Sequence, residues 1–446
     1  MEKNGNGKKF APKNIKPAEN PKNFLFVSEE ALVGDLVWQV KNEGHKVKYF
    51  IDDKEQKDIL DGFVEKSDNW KDDVAWADVI IFDDVSGFGA VAEKLRKEGK
   101  LVVGGTAYTD KLEDNREFGQ QEMKSVGMNT LSHWDFTDFQ EAIKFITENP
   151  GRYVIKPSGI GINEKELLYV GQDEDGKDVL QVLNHYSKTW AKRLKVFQLQ
   201  KFASGVEVAV GAFFNGKEFT LPVYINFEHK KLFPGEIGPS TGEMGTCAFF
   251  SQRNFIFNAT LAKMKDKLAA EGYVCYIDIN CIANSNGIYP LEFTCRFGYP
   301  TISLQMEGII SGWGDFLYAL ASGQDFELKT KKGFQVCIVI AAPPFPFSDK
   351  ESFEKYSKEA VVIFKKDKYE GVHLGDVKLV DGEMALAGVS GYALVITGSG
   401  TTMESARQQA YRRVANIMLP NMFYRTDIGI RWMNDSDKLQ TWGYLY

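Results

Sequence analysis

Two strand-like runs, each with one carboxylate and joined by a turn signal, restrict the fold of this chain more than any other feature. Residues 276–280 form the first run and residues 288–293 the second, with a Ser-Asn-Gly turn signal between them. Apolar runs on both sides of such a turn predict a β-hairpin. Asp278 and Glu292 are then expected at one end of a sheet.

Carboxylates in this arrangement suit a divalent cation. Mg²⁺ is usually held by one or two carboxylates together with substrate phosphates. Arg296, just beyond the second run, is placed to bind a phosphate oxygen. An exposed hairpin with two unrelated carboxylates is the alternative, and this stretch alone leaves both interpretations open.

Composition argues against two classes of protein. A formal net charge of -7 over 446 residues argues against general nucleic-acid binding, which normally needs a basic face. No apolar run approaches the ~20 residues of a membrane-spanning helix, so no membrane partner is expected. Five scattered cysteines without a CxxC pair favour reduced thiols and a cytoplasmic location. Residues 1–22, rich in Lys, Asn and Pro, predict a disordered tail.

Apolar strands alternate with amphipathic helices in residues 23–108. Strands are predicted at 24–27, 47–51, 79–82 and 101–103, and helices at 32–40 and 90–97. This order predicts a parallel sheet covered on both faces, with ligands at the carboxyl ends of its strands. Those ends are poor in glycine, which argues against a phosphate-binding loop, and their acidic residues are Glu29, Glu30, Asp52, Asp53, Asp83 and Asp84.

A strand at 153–156 ends on Lys156, just before a Gly-containing loop, and follows a helical connection at 109–128. A lysine in that place suits a phosphate, although lysines also end many strands without such a role. Residues 196–202 and 206–210 predict the two arms of a hairpin.

Residues 233–246 contain four glycines and two prolines, which exclude a helix or a central strand and predict an ordered functional loop. From residue 334 onward, short strands and an amphipathic helix at 403–418 predict a compact α+β unit on its own.

Six segments are similar to the motifs of one family. They are LEDNREF at 112–118, YVIK at 153–156, EHKK at 228–231, GPSTGEMG at 238–245, LEFTCRFG at 291–298 and FYRTDIG at 423–429. The chain resembles a divergent member of the glycinamide ribonucleotide synthetase (phosphoribosylamine–glycine ligase) family, within the ATP-grasp superfamily. The resemblance runs from about residue 23 to 432.

The resemblance implies a fold of α/β and α+β parts. A parallel α/β domain at 23–108 follows the tail at 1–22, and an ATP-grasp domain occupies 109–330, with a lid at about 130–195. A C-terminal α+β domain occupies 331–446. A monomer or a homodimer is expected.

The implied chemistry is a two-step ligation of small-molecule carboxylate and amine substrates. ATP phosphorylates the carboxylate, and an amine attacks the acyl phosphate and releases ADP and phosphate, so cations and Mg²⁺ (or Mn²⁺) are needed more than a base. Lys156 and Arg116 are expected at the ATP phosphates, Glu207 at the ribose, and Gln198, Gln200 and Phe202 at the adenine. Asp278 and Glu292 are expected to hold the metal ion. The residues expected around the substrates are His229, Lys230, Pro239, Ser240, Thr241, Gly242, Glu243 and Arg296.

Several positions depart from the family pattern. The Gly-rich turn that takes the ribose phosphate is replaced here by Ser28-Glu29-Glu30-Ala31, and the PE-type motif by Asp83-Asp84. The lid loop at 159–166 has fewer glycines and more negative charge. Thr294 replaces a metal-binding Asn, whereas Asp278 stands where other ATP-grasp ligases keep a metal-binding Asp. Glu243 replaces a glycine of the substrate loop.

Three hypotheses account for these departures. The chain is an active ligase whose acceptor is not phosphoribosylamine, or an ordinary enzyme of purine synthesis with a divergent sequence. As a third hypothesis, it is a nucleotide-binding scaffold without catalytic activity. The altered phosphate turn favours the first hypothesis, and the altered lid and Thr294 favour the third.

Overall fold

The computed structural model describes residues 17–85, 87–157, 167–192, 195–252 and 254–445. Predictions for the lid loop at 159–166 and for most of the tail lie outside these residues. None of the helices within the described ranges is long and apolar enough to cross a membrane. All five cysteines are free and buried.

Strands of the described residues form three larger sheets and three two-stranded pairs. The N-terminal sheet contains β1 (Asn23–Ser28), β2 (Lys46–Ile51), β3 (Val79–Phe82) and β4 (Leu101–Val103). The lid sheet contains β5 (His133–Phe136), β6 (Tyr153–Pro157), β7 (Tyr169–Val170) and β8 (Phe197–Lys201). The remaining strands are β9 (Val206–Asn215), β10 (Val223–Glu228), β11 (Lys231–Phe233), β12 (Ile237–Ser240), β13 (Gly245–Ser251), β14 (Val274–Asn284), β15 (Gly287–Thr294), β16 (Phe334–Ala341), β17 (Ile363–Phe364), β18 (Val372–Leu374), β19 (Val377–Val380), β20 (Glu383–Leu386), β21 (Tyr392–Gly400) and β22 (Ile417–Met418).

Helices cover the faces of these sheets. They are α1 (Gly34–Asn42), α2 (Trp70–Asp73), α3 (Phe88–Lys97), α4 (Ala107–Asp114), α5 (Arg116–Ser125), α6 (Phe139–Glu148), α7 (Lys177–Thr189), α8 (Phe255–Ala259), α9 (Lys265–Ala270), α10 (Thr301–Gly308), α11 (Trp313–Ser322), α12 (Lys350–Tyr356), α13 (Met403–Val414) and α14 (Trp432–Thr441). A 3₁₀ helix at Leu261–Met264 precedes α9.

The N-terminal sheet is parallel, in the order β2-β1-β3-β4, as the alternation of strands and helices predicts. The inner strands β1 and β3 are buried on both faces because they consist almost entirely of apolar residues, whereas the edge strand β2 alternates between buried and more exposed residues. The carboxyl ends of β1 and β3 therefore lie side by side, and they bring Ser28 next to the Asp83-Asp84 pair.

The central sheet has the order β15-β14-β9-β10-β13-β16-β21-β18, so the predicted hairpin at 276–294 is present as β14 and β15 at one edge. Strands β13 and β16 pair antiparallel from Gly245 to Phe249, which continues the sheet across residue 330. Strands β16, β21 and β18, from residue 334 onward, thus belong to this sheet. The domain boundaries stay predictions.

The hairpin expected from residues 196–210 is not formed. Strand β8 pairs with β5 and β6 in the lid sheet, whereas β9 pairs with β10 and β14 in the central sheet. The link between them passes close to the central sheet at Gly205, where an added Cβ atom would lie 2.3 Å from the carbonyl oxygen of Ala283. The turn signal at 203–205 lies where the chain passes from one sheet to another. Local sequence does not distinguish such a crossing from a hairpin turn, because both need the same turn residues.

The predicted loop at 233–246 is in part a two-stranded ribbon, β11 with β12. A ribbon tolerates the prolines because it is not a central strand. Arg425, fully buried, holds the ribbon through the Glu236 carboxylate at 2.7 Å and the Lys231 carbonyl at 2.9 Å. Asp427 accepts the Gly235 N–H at 2.9 Å. The C-terminal motif at 423–429 therefore has a structural role in positioning the ribbon.

A buried carboxylate in α10, Glu307, joins the central segment to the C-terminal one. Its oxygens lie 2.8 Å from the ammonium of Lys331 and 3.2 Å from the guanidinium of Arg413. The hydroxyls of Thr397 and Ser399 donate to it at 2.9 and 2.8 Å. Burial alone would raise the pKa of Glu307, but Arg413 and Lys331 lower that pKa to about 2. The carboxylate is therefore ionised at neutral pH.

The same network reaches the N-terminal segment through His373 of β18. One ring nitrogen of His373 lies 3.0 Å from the Thr397 hydroxyl and the other 2.7 Å from the carboxylate of Asp35 in α1. Glu43, just after α1, accepts the N–H groups of Trp313 and Gly314 at 3.0 and 2.8 Å, at the start of α11. These bonds attach the N-terminal sheet to both other segments.

Glu307→Gln is expected to lower the free energy of unfolding by about 3 kcal/mol at pH 7, because it leaves two partly buried cations without their anion. The pKa of Glu307 lies below its unfolded value, so this contribution is present above about pH 4.5 and is lost as pH falls towards 2. Urea denaturation at pH 7 and pH 3 measures both effects. Glu351→Gln, on the exposed side of α12, is the control, and equal midpoints for the two variants at pH 7 would contradict the prediction.

Candidate functional site

A cluster of alternating charges lies where the edge of the central sheet meets α5. The Glu292 carboxylate of β15 is 3.2 Å from the guanidinium of Arg116 and 3.9 Å from the ammonium of Lys230. Lys230 also lies 3.2 Å from Glu207 of β9 and 3.0 Å from Glu228 of β10. Three strands and one helix thus bring together residues up to 176 positions apart.

These charges set the protonation states in the cluster. Burial would raise the pKa of Glu292, but Arg116 and Lys230 lower that pKa to about 2. Burial would lower the pKa of Lys230, but Glu228 and Glu207 raise it well above its usual value. Lys156, buried at the end of β6, differs because burial and the positive charges of Arg116 and Lys230 lower its pKa to about 7. An anion that binds here would favour the protonated, positively charged form of Lys156.

A row of polar residues continues from Glu292 along one face of the central sheet. Glu292 is the cross-strand partner of Asn280, and Thr294 is the partner of Asp278, so the four side chains share one face. Asp278 is buried, and burial together with the charge of Glu228 raises its pKa well above the usual range. In the described part of the chain, Asp278 Oδ1 and Asn280 Oδ1 have no hydrogen-bond partner.

The row fits a divalent cation. Glu292 supplies an ionised carboxylate, and Asp278 and Asn280 supply buried oxygens that lack partners. Within the described ranges there is no group of three or more His, Cys, Asp or Glu side chains that could hold a metal ion. Mg²⁺ does not require one, since it is commonly held by one or two carboxylates with substrate phosphates and water. A cation here would also stabilise the ionised form of Asp278.

The lid sheet turns a second set of predicted residues towards the same side. Lys156 is the cross-strand partner of Gln198, and Gln200 lies two residues along the same face. Gln198 donates to Asp135 at 3.2 Å, while Gln198 Oε1 and Gln200 Nε2 are buried and have no partner among the described residues. Unpaired amide groups on one buried face can bind the edge of a planar polar ligand such as a purine.

Three predicted site residues lie apart from this cluster. Arg296 binds Glu113 at 3.1 Å and Asp84 at 3.4 Å, towards the N-terminal sheet. Burial would lower the pKa of Arg296, but these carboxylates raise it. The ring of Phe202 lies 3.5 Å beneath the guanidinium of Arg152. His229 is buried and accepts the Gly429 N–H at 3.2 Å, and burial with the charge of Arg431 lowers its pKa to about 3.

The substrate loop expected at 239–243 is divided between surface and interior. Pro239 and Ser240 belong to β12, where Pro239 is exposed. Thr241 donates its hydroxyl to the Lys230 carbonyl at 2.9 Å, which ties the loop to the charge cluster. An added Cβ atom at Gly242 would meet nothing within 4 Å. Glu243 is buried beside Thr246, which donates to it, and burial with the charge of Glu228 raises its pKa well above the usual range.

The sequence analysis did not single out a group of buried polar atoms next to this row. The phenols of Tyr224 and Tyr276 and the side chains of Asn226 and Gln335 have buried polar atoms without a partner in the described part of the chain. Tyr224 is paired with Gly211, which in turn is paired with Asp278, so these groups share the face of Asp278. Their residues alternate with apolar ones along β10 and β14, a signal that predicts a strand face but not a site. Buried polar atoms without partners are costly and indicate a polar ligand or water.

Two family models match the chain. The ATP-grasp (A) domain of phosphoribosylglycinamide synthetase matches residues 114–302, and the C domain of the same enzyme matches residues 335–431. The first range includes Arg116, Lys156, Lys230, Asp278 and Glu292. Both models describe one enzyme family, and together they cover most of the chain after residue 113.

Curated relatives and solved structures agree with this match. The chain is 27% identical over 364 residues to a phosphoribosylamine–glycine ligase of Listeria innocua, covering 79% of this chain and 84% of that protein. A ligase of the same name from Leptospira interrogans is 25% identical, covering 78% and 81%.

The fold is similar to the crystal structure of phosphoribosylamine–glycine ligase from Thermotoga maritima, with a TM-score of 0.69 and 19% identity, covering 91% of this chain and 100% of that one. It is also similar to the biotin carboxylase domain of Hydrogenobacter thermophilus 2-oxoglutarate carboxylase, with a TM-score of 0.65, 12% identity and coverage of 95% and 96%. The chain therefore belongs to the phosphoribosylglycinamide synthetase family and is a divergent ATP-grasp ligase that forms C–N bonds.

Proposed function

We propose that this protein activates glycine or another small amino acid with ATP and transfers the acyl group to an amine other than phosphoribosylamine. The observation that supports ATP-dependent activation is the cluster of Lys156, Arg116 and Lys230 around Glu292. The observation that supports a different acceptor is the acidic turn Ser28-Glu29-Glu30-Ala31 at the end of β1, in place of a phosphate-binding one. Two carboxylates there would repel a ribose phosphate.

In this proposal each part of the cluster binds one part of the nucleotide. Lys156 and Arg116 contact the phosphates, Gln198 and Gln200 bind the adenine edge, and Glu207 binds the ribose. Mg²⁺, or Mn²⁺, held by Glu292 and Asp278, would offset the charge that develops between two anions when the phosphoryl group is transferred. Asn280, the cross-strand partner of Glu292, is a further oxygen ligand. Glu228 holds the ammonium of Lys230 beside this site.

The carboxylate substrate is proposed to lie beside Asp278, Glu243 and the unpaired phenols and amides of the same face. The ammonium group of an amino acid would pair with Glu243, and this pairing would stabilise the ionised form of that carboxylate. Lys230 lies between these acids and Glu292, where it can bind the carboxylate that is to be phosphorylated. Arg296, between Glu113 and Asp84, stabilises the acyl phosphate from the acceptor side.

An ordinary phosphoribosylamine–glycine ligase is the second candidate. It is supported by the names of the curated relatives, which match along about four fifths of this chain. In that case a cationic side chain must bind the ribose phosphate, because the Gly-rich turn that binds it in the family is absent. The hypothesis of a scaffold without catalytic activity has no support in a chain that belongs to a ligase family.

The direct test measures ADP release by the purified full chain with ATP, Mg²⁺ and single amino acids, with and without phosphoribosylamine. We expect ADP release to need a small amino acid together with an amine, and phosphoribosylamine to be a poor acceptor. Mass spectrometry identifies the product. Glycinamide ribonucleotide as the main product would instead assign the ordinary activity, and failure to bind ATP would contradict both.

Glu292→Gln is expected to reduce ADP release by ~10² or more, since it removes a metal-binding carboxylate and leaves Arg116 and Lys230 without their shared anion. The variant should fold normally because the side chain is half-buried at a sheet edge. Circular dichroism and thermal unfolding check the fold. Glu218→Gln, in the exposed turn after β9, is the matched control, and equal activity of the two variants would refute the assignment of Glu292.

ATP binding without divalent cations is expected to weaken as pH rises from 6 to 9. Lys156 binds phosphate as an ammonium, and its pKa of about 7 in the free protein means that it loses this charge above neutral pH. Affinity should fall up to tenfold per pH unit above 7. Lys156→Arg should remove the dependence, because an arginine stays charged over this range. A fluorescent ATP analogue reports the affinity, and a pH profile shared by both proteins would show that another group titrates.

A further inference from the structure

Carboxylates crowd the carboxyl ends of β1 and β3, where open α/β sheets bind their ligands. We call this region the acidic cleft, and its members are Glu30, Asp83, Asp84, Glu113, Asp114 and Asp376. Burial is the largest cause that raises the pKa of Glu30, Asp83, Glu113 and Asp114. The charge of Asp84 raises all four pKa values further, so these groups lie near Asp84. Burial raises the pKa of Asp376 most, the charges of Asp58 and Glu30 raise it further, and the hydrogen bond from Ser390 lowers it.

One cation, Arg296, is shared among these acids. It lowers the pKa of Glu30, Asp83, Glu113 and Asp114, although burial raises the pKa of each. Its guanidinium is already bound to Glu113 at 3.1 Å and to Asp84 at 3.4 Å. Arg296 is therefore already paired with two of these carboxylates, and six carboxyl groups share one guanidinium. A cationic ligand would stabilise the ionised form of the others.

Buried oxygens at the base of the cleft also lack partners. Within the described residues Ser28 Oγ, Tyr49 Oη and Asp83 Oδ1 are buried and form no hydrogen bond of normal geometry. Ser28 lies close enough to lower the pKa of Asp83 and of Tyr49. Burial raises the pKa of Tyr49 most, and the charges of Asp83 and Asp376 raise it further. The three oxygens are thus neighbours, with Asp376 close to Tyr49. An ionised carboxylate oxygen only accepts and hydroxyl oxygens can also accept, so a ligand that donates hydrogen bonds would satisfy this group.

We propose, on the basis of the ligase function above, that the amine acceptor carries a second cationic group, which binds in the acidic cleft. An alkyl diamine or polyamine has this chemistry, because its ammonium groups donate hydrogen bonds and carry the charge that the cleft lacks. Phosphorylated amines have the opposite charge and are excluded.

The cleft adjoins the activated carboxylate. Glu113 accepts the Cys295 N–H at 2.6 Å, one residue beyond Thr294, which is the cross-strand partner of Asp278, so the cleft meets the row that contains Asp278. One neutral amine of the acceptor attacks the acyl carbon of the acyl phosphate, and a C–N bond forms while the C–O bond to phosphate breaks. Phosphate leaves with the electron pair of that bond, and the attacking nitrogen loses one proton. The distal ammonium stays in the cleft and takes no part in bond formation.

Binding to the full chain without ATP tests the cleft directly. Isothermal titration calorimetry with 1,4-diaminobutane, butylamine and phosphoethanolamine compares two positive charges, one positive charge and a phosphate. We expect 1,4-diaminobutane to bind at least tenfold more tightly than butylamine, because an opposite charge within about 4–6 Å shifts an equilibrium by a factor of ten or more. Phosphoethanolamine should not bind. Equal binding of the diamine and butylamine, or binding of phosphoethanolamine, would overturn the proposal.

Paired variants separate the cleft from general negative charge. Glu30→Gln with Asp114→Asn removes two exposed carboxylates of the cleft and should weaken binding of 1,4-diaminobutane at least tenfold. Glu98→Gln with Asp68→Asn removes the same charge from exposed positions that precede β4 and α2, and should change binding less than twofold. Equal loss in the two double variants would show non-specific attraction and refute the cleft.

ADP release distinguishes failure of this inference from failure of the proposed function. Glycine-dependent ADP release and amide formation with butylamine as efficient as with 1,4-diaminobutane would leave the ligase in place and refute the cationic acceptor. Diamine binding that depends on Glu30 and Asp114, without ADP release for any acceptor, would retain the cleft as a cation site and refute the ligase function. Preference for 1,4-diaminobutane in kcat/KM, reduced by the first double variant only, supports both.

Discussion

Strand β14 is the constraint on which the rest of the site depends. It pairs with β9 from Val274 to Ala283 and with β15 from Asp278 to Asn284, so its register is determined from both sides. A shift by one residue would turn Asp278 and Asn280 away from Glu292 and towards the opposite face. Backbone pairing inside an apolar sheet, rather than contacts among the charges, therefore determines which polar groups meet.

The charges on this scaffold fall into two regions of opposite character. Around Glu292, Arg116 and Lys230 lower the pKa of that carboxylate to about 2, and burial with the charge of Arg116 lowers the pKa of Lys156 to about 7. In the acidic cleft burial and mutual repulsion raise the pKa of Asp83 to about 8. Two unit charges 4 Å apart near a protein surface interact by about 4 kcal/mol. Differences of this size are sufficient to send an anionic nucleotide to one region and a cationic ligand to the other.

The two regions come from different segments, and their relative position depends on a few buried polar bonds. Asp35, His373, Thr397 and Glu307 form one connected network through α1, β18, β21 and α10. Glu43 adds a second attachment at the start of α11. Helix N-terminal N–H groups favour a carboxylate, so this contact has both hydrogen-bonding and dipole contributions. A buried apolar core shared by the N-terminal and central sheets completes the attachment.

Local pattern by itself determined much of this protein: the parallel strands β1 to β4, the hairpin of Asp278 and Glu292, the strand that ends on Lys156 and the family itself. It did not determine the partners of β8 and β9, because a turn and a change of sheet share the same residues, nor the ribbon within 233–246. Only the tertiary structure decided that Arg296 binds Asp84 and Glu113, that His229 packs against Gly429, and that Asn280, Glu228, Tyr224 and Tyr276 adjoin the site. The reason is physical, since strand periodicity assigns a side chain to a face, whereas charge pairing and burial depend on segments that are distant in sequence.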